Sequence, residues 1–244
     1  MDDSRPRLVA LTFDDGPSSF RPDLLGVLRD RRVRATFFDT GVRVRANPQL
    51  ARFQVAEGHV QLNHTVRHVH MDRLPAAANR AEVLRAEAIL AEAGAPLTFK
   101  GIRPPFGGSD PAVQRLLSEL GYTSFLNRID AADWRPDMTA AAIRDGIVAR
   151  LAPGVIVGLH DGPMDTPAGA ATVEAVGQII DRARELGYDF GVVDRTGQVV
   201  ADRYVPCGLP VPPVTAPVPY HLPLVRGEVA HIPRPWVRMP STDR

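Results

Sequence analysis

The chain has 244 residues, 44% of them apolar and 23% charged, with 29 basic against 28 acidic side chains for a formal net charge of +1. That length supports one large domain with a sizeable buried core, and the composition excludes a disordered, fibrous or membrane-embedded chain. Bulk charge gives no support to nucleic-acid or anionic-membrane binding, and a single cysteine, Cys207, excludes a disulfide framework or thiolate cluster within one chain.

Residues 1–6 run straight into the first strand candidate, 8–13, without a basic and then apolar leader. The expectation is a cytoplasmic protein that touches neither nucleic acid nor membrane, which a trimmed leader would change. A helix follows over 22–30, with Leu24, Leu25 and Leu28 on one face. Strands are expected at 34–38 and 59–62, then a helix over 79–93 whose Val83, Leu84, Ile89 and Leu90 repeat at helical spacing. The pattern continues with a strand at 99–103 and a helix at 110–120, opened by Asp110 as N-cap and Pro111 at the first helical position. Strands at 123–128, 155–159 and 190–193 alternate with helices at 139–151 and 170–186, the last closing on Gly187. Seven β-then-α units of roughly 25–35 residues predict a parallel sheet, and their number in one domain favours a closed or nearly closed β/α barrel. No G-x-G-x-x-G, P-loop or G-x-S-x-G accompanies the strands, so dinucleotide, nucleoside-triphosphate and serine-hydrolase readings lose their main support.

Proline divides the chain: 10 of the 23 prolines fall in residues 205–244. A barrel domain over 1–204 and a proline-rich extension over 205–244 are expected. The plainer reading of the extension is a disordered tail. Yet Tyr220, Leu222, Leu224, Val225, Ile232, Trp236 and Val237 predict extended packing on the barrel or on a neighbouring subunit, a route to a homo-oligomer, with His221 and His231 part of it.

In β/α barrels the active site forms at the carboxyl ends of the strands, and here five strand ends carry ionisable residues: Asp14-Asp15, His64 and His68, Arg103, Asp130 to Asp133, and His160. His64 and His68, four apart, would face one way on a helical turn and grip one metal ion; the competing reading is a solvent-facing cluster that includes His70. Asp15 as a third ligand would complete a His₂-carboxylate site with open positions, the pattern of a hydrolytic metal centre. Neighbouring side chains diverge, so one carboxylate of the Asp14-Asp15 pair can bind metal while the other acts as a general base; Asp-Gly-Pro is also a turn signal by itself. Arg103 needs a carboxylate partner, and pairing with Asp14 would hold a base ionised and oriented. His160 ends an apolar strand, as a core histidine would, but with Asp133 nearby it reads as an acid of raised pKa.

The segments TFDDGP, HTVRH, RPPFG, DAADW and VGLH, in this order over residues 6–195, resemble the polysaccharide deacetylases with a NodB homology domain, carbohydrate esterase family 4. The resemblance implies an α/β fold, a distorted (β/α)₇ barrel, here with a proline-rich extended C-terminal segment. It implies metal-dependent removal of acetyl groups from N-acetylated sugars or, in some members, O-acetylated xylan. One divalent ion is implied, zinc first, with cobalt, nickel or manganese as alternatives. By position Asp14 resembles the catalytic base, Asp15, His64 and His68 the metal ligands, and Arg103 the arginine that positions the base. Phe106 matches an aromatic residue whose backbone N–H stabilises the oxyanion, Asp133 the residue tuning the acid, Trp134 an aromatic wall, and His160 the general acid. Val157 and Leu159 are implied to line the acetyl-methyl pocket. Two positions depart from the family pattern: Val69 replaces the usual proline after His68, and Asp39 stands where an apolar residue is common, which points to a second strand end remodelled toward a different substrate. Without a leader, the expected substrate is an intracellular acetamido sugar, oligosaccharide or biosynthetic intermediate. The competing readings are an O-acetyl esterase, a small cyclic amide or imide hydrolase on the same metal site, and a non-catalytic sugar-binding module.

Overall fold

Among the described residues, all the strands of the chain but the last point the same way. In the computed structural model, which describes residues 7–161 and 167–215, β1 (Arg7–Asp14), β2 (Thr36–Asp39), β3 (Val60–Asn63), β4 (Gly101–Ile102) and β5 (Thr123–Ser124) are parallel neighbours in that order. On the other side of β1, β7 (Ile156–His160) pairs in parallel with its carboxyl half and β8 (Tyr188–Val193) with its amino half. The strand β6 (Ile129–Asp130) adds to β7, and β9 (Val199–Ala201) pairs antiparallel with β8. Among the described residues β5 and β6 do not pair with each other. The α/β sheet is therefore a half-barrel with a seam, the distorted form of the expected barrel.

The helices are α1 (Arg21–Asp30), α2 (Gly41–Ala46), α3 (Pro48–Ala56), α4 (Ala76–Glu92), α5 (Pro111–Glu119), α6 (Ala140–Val148) and α7 (Pro167–Glu185). Apolar spacing explains their placement: α1 buries Leu24, Leu25 and Leu28, and α4 buries Val83, Ala86, Ile89 and Leu90. Leu84, expected in that stripe, is exposed instead. Asp110 caps α5 by accepting a hydrogen bond from the Val113 N–H at 2.8 Å, and Thr139 caps α6 through the Ala142 N–H at 3.2 Å. The short α2 and α3 fall where no element was expected.

Alternation along the strands divides the core into two layers. Val9, Leu11, Phe13, Phe37, Val157 and Leu159 face outward and pack with Leu24, Leu28, Ile143 and Ile179 of the helical layer. Ala10, Phe38, Val60, Leu62 and Ile156 face inward and meet Phe125. The single strand expected over 123–128 is broken because its two halves belong to opposite ends of the sheet: the Phe125 N–H donates to Ile102 O at 2.8 Å and the Arg128 N–H to Ile156 O at 3.1 Å. Residues 125–128 thus cross the seam.

After β9, residues 202–215 carry no regular element and lie against α1, α3 and the turn after it. Glu57 accepts hydrogen bonds from Tyr204 Oη and, at 2.9 Å, from the Cys207 N–H. Arg29 Nη2 donates to Leu209 O at 2.9 Å, and the Thr215 N–H to Asn47 Oδ1 at 3.0 Å. Burial would raise the Glu57 carboxyl, but Arg29, Cys207 and Tyr204 together lower it to about 2. The apolar residues 220–237 on which oligomeric packing was expected, with His221 and His231, lie outside the described residues. Among the described residues no helix is long and apolar enough to cross a membrane.

Candidate metal and acid–base site

Inward alternation along β1 places Ala10, Thr12 and Asp14 on one face, and Asp15 would ordinarily point away. Its backbone is left-handed (φ 70°), a costly conformation for a non-glycine residue that functional sites retain. The turn brings both neighbouring carboxylates to one cavity of about 510 Å³, which His64, His68, Arg103, Phe106, Trp134 and His160 also line. Arg103, just after β4, donates from Nη1 to Asp14 Oδ1 at 2.5 Å and lies over the Phe38 ring at 4.1 Å. Burial pushes the Arg103 guanidinium below its ordinary range, opposed by Asp14. Its Nε and Nη2 are buried without a hydrogen-bond partner among the described residues.

His64 and His68 follow β3, but not on the helical turn expected from their spacing. The segment is an irregular loop in which Thr65 (φ 65°) and His68 (φ 55°) are left-handed, and the bend brings the imidazoles together at 4.9 Å between centroids. The loop is fastened from outside the motif. Glu82 of α4 accepts from the Val66 and Arg67 N–H groups, each at 3.0 Å, and Asn63 Oδ1 accepts from the Thr65 N–H at 2.8 Å. His64 Nδ1 lies 2.6 Å from Arg103 O, an oxygen that can only accept, so the proton sits on Nδ1 and the Nε2 lone pair faces Asp15. His64 Nε2 and His68 Nε2 stand 3.2 and 3.0 Å from Asp15 Oδ1. One ligand atom from each of the three residues lies within 4.8 Å of the others.

That set fits a divalent cation. Asp15 Oδ1 is buried and has no hydrogen-bond partner among the described residues, although two imidazole nitrogens stand beside it; the donors converge on a common point rather than on one another. Burial opposes ionisation of Asp15, but the two histidines beside it, His68 foremost, hold its carboxyl well below the usual carboxylate range. His70 is not part of this group and stacks on Phe106 at 3.8 Å with an interplanar angle of 10°.

His160 ends β7 on the inner face. Its Nδ1 bonds Asp133 Oδ1 at 2.8 Å, while Asp133 Oδ2 accepts from the His160 N–H and from Thr172 Oγ1 of α7, both at 2.9 Å. Burial pulls the imidazole pKa down, but Asp133, with smaller contributions from Asp15 and Asp14, raises it to about 10. The charged ring offers Nε2–H to the cavity.

Phe106, left-handed at φ 58°, and Trp134 stand at the rim, Phe106 exposed and Trp134 half-buried. Two expectations are corrected. Val157 and Leu159 do not line the cavity: they are 0% exposed and face the helical layer, because β7 alternates and His160 has already taken the inner face. Their inner-face counterparts are Ile156 and Gly158. Asp39 likewise points away from the cavity: it is buried on the outer face and ion-paired with Arg21 Nη2 at 2.7 Å, so it does not remodel a substrate surface.

Arg21 organises the ground behind the site. Its Nε donates to Asp161 Oδ2 at 2.6 Å and its Nη1 reaches Gln54, which in turn donates to Gln61 at 2.7 Å. Asp161 accepts from the Ser18 N–H at 3.1 Å, and its own N–H donates to Asp14 O at 3.1 Å, so this network fixes the loop that carries the two carboxylates. A Cβ at Gly16 would overlap Arg21 and Asp161. Burial, reinforced by Asp39 and opposed by Arg21, pushes the Asp161 carboxyl up to about 6. Sequence reasoning missed Arg21, Glu82, Thr172 and the cavity-lining Asn127; none sits in a spaced motif, and each acts across the fold.

Comparison with known proteins places the chain in context. A family model described as polysaccharide deacetylase matches residues 2–125. A chitooligosaccharide deacetylase of a Bradyrhizobium strain is 35% identical over 199 residues, covering 78% of this chain and 90% of that protein. A peptidoglycan-N-acetylglucosamine deacetylase of Bacillus cereus is 33% identical over 191 residues, covering 77% and 86%. Among solved structures, a family 4 carbohydrate esterase from Streptomyces lividans in complex with acetate superposes with a TM-score of 0.72 at 34% identity, covering 80% of this chain and 97% of that one.

Proposed function

The chain belongs to the polysaccharide deacetylase family, and from that premise we propose that it is a zinc-dependent deacetylase that hydrolyses the acetamido group of an N-acetylated sugar or oligosaccharide to a free amine and acetate. The observation that carries this reading is the meeting, in one cavity, of a base held by an arginine, an acid held by a carboxylate, and three convergent metal donors. Two imidazoles and one carboxylate are a donor set suited to zinc. Asp15, His64 and His68 would hold a divalent ion, which would supply Lewis acidity toward the acyl oxygen and a bound water.

The chain's own residues carry the protons. Asp14, fixed by Arg103, takes a proton from the attacking water as its oxygen bonds to the acyl carbon. His160, charged through its contact with Asp133, gives its proton to the departing nitrogen as the carbon–nitrogen bond breaks. The Phe106 N–H supports the developing oxyanion. Phe106 and Trp134 give the sugar apolar faces to lie against.

The test is acetate release by the zinc-loaded protein from N-acetylglucosamine oligomers of one to several units, alongside O-acetylated sugars. Release from the N-acetylated series is expected. Turnover confined to esters would replace this reading with that of an O-acetyl esterase, and no acetate from either series would remove the deacetylase assignment.

A further inference from the structure

The seam of the half-barrel carries a polar side chain that the acid–base chemistry leaves unused. Asn127 lies in the segment that crosses from β5 to β6, anchored on both sides by the Phe125 and Arg128 backbone hydrogen bonds. Its carboxamide rests on Gly158 so closely that a Cβ there would overlap Nδ2 and Cγ. Gly158 precedes His160 by two residues, so both share the inner face of β7. The amide therefore occupies a place that opens only because position 158 has no side chain, and it lines the same cavity as Asp14 and His160. Its Oδ1 is shielded from solvent and has no hydrogen-bond partner among the described residues.

An amide oxygen removed from water is costly unless a donor meets it. Among the described residues, the other orphan atoms in this cavity are Asp15 Oδ1 and Arg103 Nε and Nη2, which belong to the reacting centre. We propose that Asn127 is a specificity-determining residue whose Oδ1 accepts a hydrogen bond from a substrate hydroxyl. The inference rests on the deacetylase reading, in which the substrate nitrogen already faces His160; the donors a sugar has left are hydroxyls. Two sources share that chemistry: a ring hydroxyl beside the acetamido group, or a hydroxyl on the acyl group itself, as in an N-glycolyl sugar. The apolar floor expected from Val157 and Leu159 is absent from this face, and a polar amide stands over Gly158 instead.

Wild type, Asn127→Leu and Asn127→Asp are compared by kcat/KM on an N-acetylglucosamine oligomer, on its analogue lacking the neighbouring ring hydroxyl, and on its N-glycolyl counterpart. Leucine keeps the shape and removes the acceptor, whereas aspartate keeps the acceptor. Wild type is expected to prefer the hydroxyl-bearing member of one pair by about tenfold or more, since a site built around a hydroxyl discriminates strongly against its loss. That preference collapses to about twofold or less in Asn127→Leu and survives in Asn127→Asp. Collapse in the ring pair assigns the ring hydroxyl, and collapse in the acyl pair assigns the acyl hydroxyl. Wild type that distinguishes neither pair overturns the inference without recourse to any variant. A folded, metal-replete Asn127→Leu enzyme that keeps the preference overturns it too. Wild type that releases no acyl group from any substrate removes the deacetylase reading and this inference with it, an outcome distinct from both.

Discussion

The loop after β1 separates two buried clusters of charge that are finished in opposite ways. In front of it, in the cavity, Asp15 Oδ1, Arg103 Nε and Nη2 and Asn127 Oδ1 are buried without partners among the described residues. Behind it, Arg21 spends its guanidinium on Asp161, Asp39 and Gln54, and Gln54 passes the chain of hydrogen bonds on to Gln61. Both clusters are shielded from solvent, so burial alone does not tell them apart. The difference is satisfaction: a saturated network locks a backbone, whereas an unsaturated one is completed by something that binds. Three left-handed non-glycine residues, Asp15, His68 and Phe106, lie on the cavity side, where backbone strain goes with an incomplete site.

The largest expected effect breaks the front cluster. Asp14→Ala lowers kcat by about 10²–10⁴-fold, the usual worth of a positioned base, with bound metal unchanged by elemental analysis because Asp14 is not among the convergent donors. Removal of metal by a chelator abolishes acetate release, and zinc restores it. Full activity of Asp14→Ala, or of the chelated protein, would falsify the division of roles at this site.

Breaking the rear cluster reads out in stability first. Arg21→Met leaves the buried Asp39 and Asp161 without their cation and costs about 3–5 kcal/mol by denaturant unfolding. Part of that loss returns as pH falls, because carboxyls whose folded pKa is raised contribute stability at low pH and lose it as pH rises. A variant as stable as wild type at neutral pH would show that the network does not lock the loop.

A smaller effect separates the acid from its partner. The folded pKa of His160 is raised from 6.5 to about 10, so activity that needs the imidazolium falls as pH rises through about 10. By the same sign, the stability it contributes is full below 6.5 and is lost as pH climbs through about 10. Asp133→Asn moves the basic limb of the kcat profile down toward 6.5, so the variant loses more at pH above that value than below it. An unmoved basic limb would mean that Asp133 does not tune the acid.

The smallest effect lies outside both clusters. Tyr204→Phe removes one hydrogen bond to Glu57 and is expected to cost about 1 kcal/mol of stability, seen in denaturant unfolding, while kcat stays unchanged.

Spacing along the chain was sufficient to find the parallel sheet, five of the helices and the five strand ends that carry Asp14, Asp15, His64, His68, Arg103, Asp133 and His160. These are local signals: apolar period, caps, and polar residues where an apolar strand stops. Alternation also held enough to place Val157 and Leu159, since a strand that turns His160 inward must turn Leu159 outward, away from the pocket that the family resemblance implies. Only the tertiary structure could decide the rest. The seam exists because two halves of residues 123–130 hydrogen-bond to opposite ends of the sheet, and the Asp39–Arg21 pair because β2 and α1 meet across the outer face. Glu82 and Thr172 reach the site from helices remote in sequence. Asn127 acquires its unmet acceptor from the absence of a side chain at Gly158. Composition and pattern determine which residues face a core, but whether a buried polar atom finds its partner depends on distances between segments far apart in the chain.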